Sequence, residues 1–162
     1  MTPVSHALLP VFFGRRWIPK RNRVPAPGEA SLVALCGVLP DVLSPHLYLD
    51  SRHTALSHTL WAFAVFAAAA LLLRRFRPAL LPAPLALLCI CAYGGHILCD
   101  YLTGGVAFLY PCSTKISGKN HLPYWLWITC DGLLILYFYM IYRWIPLRRR
   151  FLDKKRLSLP PV

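Results

Sequence analysis

His96 and Asp100 stand four residues apart in YGGHILCDYLTGG, residues 93–105, at the end of an apolar run that begins near Ala79. On a helix, residues i and i+4 stack on one face, so this pair can aim an imidazole nitrogen and a carboxylate oxygen at one point. Asp41 follows a proline in LPDV, and His53 and His58 lie five apart in RHTALSHTL. Five residues along one helix diverge by about 140°, which puts His53 in a loop and His58 on the helix after it. Two histidines near two aspartates make a nitrogen and oxygen donor set suited to zinc or another divalent ion. Each motif alone also has a plainer reading. His96 and Asp100 can be a hydrogen bond joining two helices, Asp41 a helix cap, and His58 a structural histidine. Arg52 has the chemistry to bind a phosphate or carboxylate, or is simply solvated at an interface.

The elements that would position these groups are apolar. The chain has 162 residues, 57% hydrophobic and only 15% charged. Three long apolar stretches, about Ala55–Leu73, Ala79–Leu102 and Pro123–Tyr142, each approach the ~20 residues that cross ~30 Å of hydrocarbon as a helix. Cysteine and tyrosine aside, their ionisable groups are His58, His96, Asp100 and Asp131. The expected fold class is therefore all-α, a polytopic membrane helical bundle. It has three long transmembrane helices plus two shorter or broken N-terminal membrane segments. The first short segment lies in MTPVSHALLPVFFGRRW, whose basic residues follow the apolar run and which shows no cleavage site, so it reads as retained. The second, Ser31–Leu49, is interrupted by Pro40 and Pro45. One membrane-embedded domain is expected over residues 1–146, with a basic cytoplasmic tail over 147–162.

The net charge of +12 is not spread as a nucleic-acid surface would require. Of 18 Lys and Arg, five lie between Arg15 and Arg23, three between Arg74 and Arg77, and seven between Arg143 and Arg156. These blocks sit at ends of apolar segments, where the positive-inside rule makes them cytoplasmic and able to contact anionic lipid. Threading the chain accordingly brings His6, Asp41, His46, His53, His58, His96 and Asp100 towards the outer face. Asp131 falls two turns into the last long segment, either touching a ligand histidine or joining helices. His46 and His121 lie beside prolines in outer loops and carry weaker signals. The six cysteines form no CxxC pair and give neither a disulfide framework nor a zinc ribbon. The aromatics of PYWLWI suit an interfacial belt.

SHALLP, LPDV, RHTALSHTL and YGGHILCDYLTGGVAFLYP follow in this order over residues 1–111. Their order and spacing resemble the YdjM family of bacterial inner-membrane proteins. That family shows a Thr-His near the N-terminus, a Pro-Asp, a His-Arg-Gly-x-Thr-His-Ser segment and a Ser-His-x-x-x-Asp helix. The resemblance implies a metal-dependent hydrolase whose metal site is formed by His6, Asp41, His53, His58, His96 and Asp100. This chain departs from the pattern in three places. Ser5 stands before the first histidine, Thr54-Ala55 follows His53 with Arg52 before it, and Gly95 precedes His96. His-x-x-x-Asp on a helix is also similar to a feature of the zinc-dependent phospholipase C group, which points towards phosphoester chemistry.

The leading expectation is a membrane-embedded hydrolase that uses one or more divalent ions, Zn2+ with Mn2+ as the alternative. It would act on an ester or phosphoester of a lipid or lipid-linked substrate. Asp41 and Asp100 are the candidate acid–base groups and Arg52 a candidate substrate-binding group. Two rivals use the same residues. A metal-ion or proton transporter would need polar groups continuing towards the cytoplasmic side, where the segments are almost wholly apolar. Haem held by His58 and His96 would leave Asp41 and Asp100 without a role.

Overall fold

The computed structural model describes residues 3–17, 27–44, 54–118 and 123–157. Arg52, His53, His46 and His121 lie outside the described residues. Helices dominate, and the one β pairing among the described residues is an isolated bridge between Val106 and Ser117.

Helix α1 spans Pro3–Trp17 and α2 spans Pro27–Leu43. Both contain a proline, Pro10 and Pro40 respectively. Proline removes a backbone donor and crowds the preceding turn, and α2 stops at Leu43, soon after Pro40. Pro27 opens α2 and Glu29 sits in its first turn, each at a position the free amides and positive end of a helix favour. The two helices approach closely at Gly37, where a Cβ would overlap the His6 carbonyl oxygen.

Helix α3 spans Leu60–Phe76 and α4 spans Ala83–Thr103. Helix α4 is central. Its small residues Ala86, Cys89 and Ala92 are buried with Val11 of α1 and Val33 and Cys36 of α2. In lipid, where hydrocarbon contact gives no net drive, small side chains let helix backbones approach and gain dispersion contact. On another face of α4, Tyr93 stacks on Phe66 of α3 with ring centroids 4.6 Å apart. Gly14 of α1 faces Leu88, whereas the His6 ring lies 3.8 Å from that of His96. Helices α1 and α4 are therefore antiparallel.

Helix α5, Tyr124–Tyr139, continues through a π-helical turn at Met140–Trp144 into α6, Ile145–Leu157. It runs parallel to α1, because Ser5 donates to the Asp131 carboxylate and Phe12 meets Tyr137 further along both helices. Its outer face is apolar and open, with Leu133, Ile135 and Leu136 all exposed.

Two helical runs, Ala83–Thr103 and Trp125–Phe151, are long and apolar enough to cross a membrane. The third expected span is shorter than its apolar sequence. Helix α3 has 17 residues, about 26 Å at ~1.5 Å per residue. It starts at Leu60 instead of Ala55 because Thr59 caps it, its hydroxyl accepting from the Ala62 amide at 3.2 Å. The preceding residues Leu56–His58 form a separate 3-10 turn. His58, expected on the long helix, stands in that turn.

Substituting Gly37 by alanine would force α1 and α2 apart, an overpacking cost of about 1–3 kcal/mol. Gly28, on the same helix, has open space where its Cβ would go. Thermal unfolding in detergent should therefore show Gly37→Ala melting well below the native protein and Gly28→Ala melting at or above it. Equal melting of the two variants would rule out the close approach.

Candidate metal centre

Four chain segments bring their polar groups to one end of the bundle. Helix α4 supplies His96 and Asp100 from successive turns, α2 supplies Asp41 from its last turn, the 3-10 turn supplies His58, and α1 supplies His6 from its first turns. His6, His58, His96 and Asp100 are buried, and the Asp41 side chain is 21% exposed. One ligand atom from each of Asp41, His58, His96 and Asp100 lies within 4.8 Å of all the others.

Five of the six separations among these atoms fall between 3.1 and 3.5 Å. His58 Nε2 and His96 Nε2 are 3.1 Å apart. Asp100 Oδ2 is 3.3 Å from the first and 3.2 Å from the second. Asp41 Oδ1 is 3.3 Å from His58 Nε2 and 3.5 Å from His96 Nε2. Zinc at ~2.0–2.1 Å from tetrahedral nitrogen and oxygen ligands spaces those ligands ~3.3–3.4 Å apart. The donor set fits such an ion.

Hydrogen bonds behind the rings fix which nitrogen faces the centre. His96 Nδ1 is 2.7 Å from the Gly37 carbonyl oxygen. A carbonyl only accepts, so Nδ1 carries the proton, and in the neutral ring Nε2 presents a lone pair. The Ser57 hydroxyl donates to the Pro40 carbonyl at 2.7 Å. Its one proton being committed there, it accepts from His58 Nδ1 at 3.1 Å. His58 Nε2 then also presents a lone pair. Two lone pairs 3.1 Å apart repel unless a cation lies between them, and the neighbouring carboxylates add negative charge. Burying such a set is costly unless the charge is paired or coordinates a metal. With both rings neutral, the two nitrogens and two carboxylates together match a divalent ion.

His6 reaches this group from the other side of Asp100. Its Nε2 is 3.3 Å from Asp100 Oδ1, and its ring stacks on that of His96 at 3.8 Å and 28°. The structure thus gathers His6, Asp41, His58, His96 and Asp100. Asp131 accepts from the hydroxyl of Ser5, next to His6, and so ties α5 to the helix that carries His6.

Sequence reasoning missed the groups that hold the rings. The Gly37 and Pro40 carbonyls are main-chain acceptors, for which the sequence offers no signal. Ser57 stands beside His58 in RHTALSHTL, a pairing too common in sequence to mark a role. Its hydroxyl is directed at Pro40 and His58, as a support for the histidine. Tyr93 donates to the Ser57 carbonyl at 2.7 Å and so pins the 3-10 turn to α4; its sequence context reads only as an apolar helix.

A family model described as YdjM inner membrane protein matches residues 1–154. Comparisons with curated proteins and with solved structures gave no match.

Removing the Ser57 hydroxyl leaves His58 Nδ1 without the acceptor that fixes its tautomer. Loss of such a partner typically lowers metal affinity by about 10–100-fold. Competition titration with a zinc chelator should show a shift of that size for Ser57→Ala. Unchanged affinity with abolished turnover would instead make Ser57 a nucleophile and overturn the supporting role.

Proposed function

The chain belongs to the YdjM inner membrane protein family, and from that premise we propose that it is a membrane-embedded, metal-dependent hydrolase. The observation that carries this reading is the convergence of Asp41, His58, His96 and Asp100, with both imidazoles turned to offer lone pairs to one point. These four residues would hold the ion, Asp41 loosely enough to leave a position for water, with zinc favoured by the spacing and manganese the alternative. A divalent ion in such a site supplies water activated near neutral pH and polarises an ester or phosphoryl oxygen.

The residues around it divide the remaining work. Asp100 is buried beneath three imidazoles and serves to anchor them. Asp41 is the acidic residue with access from outside the bundle, which suits it to take a proton from an attacking water. His6 holds the second oxygen of Asp100 and extends the polar surface. We assign Arg52 to binding a substrate phosphate or carboxylate and keep His53 as a further candidate ligand. The substrate class we favour is an ester or phosphoester of a lipid or lipid-linked molecule, because the centre lies at one end of an apolar bundle. With the basic blocks cytoplasmic, the site faces the outer side of the membrane.

Transport is the weaker reading. Beyond the cluster the described core, with Val11, Val33, Cys36, Ala70, Ala86 and Cys89, offers an ion two thiols but no further carboxylate or imidazole. Haem is weaker still. Its two axial ligands must approach from opposite faces of a flat macrocycle, whereas His58 Nε2 and His96 Nε2 are 3.1 Å apart.

Elemental analysis of detergent-purified protein should find stoichiometric zinc or manganese, lost in His58→Ala and Asp100→Ala while both variants still insert into the membrane. Asp41→Asn should keep much of the metal and lose about 10²-fold or more in turnover of an activated phosphoester. A native protein without metal after reloading would eliminate the hydrolase reading.

A further inference from the structure

A second feature opens on the same histidines. Between α1 and α4 lies a groove of about 880 Å³. One wall is the α1 stripe His6, Leu9 and Phe13, and the other is the α4 stripe Pro84, Leu88 and Cys91. These spacings of three, four and seven residues place each set on one helical face. Because the helices are antiparallel, both stripes finish at the metal centre, one on His6 and the other on Gly95, the neighbour of His96. The remainder of the lining is almost wholly apolar, and the Ser5 hydroxyl at the polar end is turned to Asp131.

The dimensions select the occupant. From Pro84 to His96 the groove follows α4 for twelve residues, about 18 Å. Half the ~30 Å hydrocarbon core is ~15 Å, so a chain as long as one leaflet ends inside it. Its lining offers hydrocarbon contact along most of its length and imidazoles only at the centre, the distribution of a lipid chain and its head group. Gly95 lies beside His96 where the groove meets the site, and nothing stands within 4 Å of where its Cβ would be.

We propose that this groove holds one hydrocarbon chain of a phosphoester lipid whose head group lies at the His/Asp cluster. The inference rests on the hydrolase reading for its head-group chemistry, while chain binding is measurable without turnover. It makes Gly95 a specificity position: a larger side chain there closes the groove at the centre while leaving His96 on its helix.

The test is native mass spectrometry of delipidated protein with dipalmitoyl phosphatidate and with dibutyryl phosphatidate, both metal-loaded and metal-free. The native protein should prefer the long-chain probe, and Gly95→Leu should weaken that probe about ten-fold or more through the methylenes it displaces. Gly132→Leu fills open space on α5 and should bind as the native protein does. Cys91→Phe blocks the groove one turn deeper and carries the test should Gly95→Leu fail to fold. Undiminished long-chain binding by the blocked variants overturns the proposal, as does equal affinity for both probes, which would mean recognition of the phosphate head alone. Long-chain binding lost in the blocked variants, in a protein that hydrolyses nothing, would leave the groove standing and remove the hydrolase reading. Hydrolysis indifferent to both substitutions would do the reverse.

Discussion

Everything at the polar end of this bundle depends on Nε2 of His58 and Nε2 of His96 facing each other across 3.1 Å with two carboxylates beside them. Neither side chain could hold that position alone. Each ring is turned by a hydrogen bond from its Nδ1, one to a main-chain carbonyl of α2 and one to a hydroxyl that is itself oriented by α2. The last turns of α2 therefore act as a template for both histidines. Asp41 joins the donor set from the same stretch. The bundle has to bring α2 against α4 closely enough for these bonds, and the small residues Cys36, Gly37, Ala86, Cys89 and Ala92 permit that approach.

The medium explains why the His58 and His96 rings are both held from behind. Water is absent from a bilayer core, so a polar group there must find its partner within the protein. The 3-10 turn before α3 carries exposed polar backbone that a long continuous helix would have hidden. Its cost is offset by the Thr59 cap, by Tyr93 on the Ser57 carbonyl, and by the Leu60 amide on the Phe108 carbonyl at 3.0 Å. Shortening α3 thus buries His58 and Ser57 where the centre needs them. The same demand accounts for Asp131, whose carboxylate within an apolar helix is met by the Ser5 hydroxyl.

Much of this organisation was legible in the sequence. Apolar runs marked the helices, and the basic blocks, used only to orient the chain, placed His6, Asp41, His58, His96 and Asp100 at a common level. The i, i+4 spacing of His96 and Asp100 identified the face of α4 that matters. The start of α3 was not legible, because Ala55 and Leu56 are as apolar as the helix that follows and only the folded turn reveals Thr59 as its cap. The carbonyl acceptors were invisible for a more general reason: every residue has one, and only the crossing of α2 and α4 selects those of Gly37 and Pro40. The groove belongs to neither helix alone. Its two stripes are ordinary apolar faces until their antiparallel arrangement leaves space between them.

That arrangement gives the centre two approaches of opposite character. Asp41, partly exposed, lies on the α2 side, whereas His6 and His96 close the apolar groove on the α1–α4 side. A reaction between water and a lipid has to admit both reactants without opening the bundle to either. Under the proposed reading, a chain entering between α1 and α4 would bring its head group to the imidazoles from the hydrocarbon side. Water would meet it from the Asp41 side, next to the carboxylate suited to accept its proton. Under that reading the two openings divide the reactants, the chain arriving through the apolar groove and the water from the side of the partly exposed carboxylate.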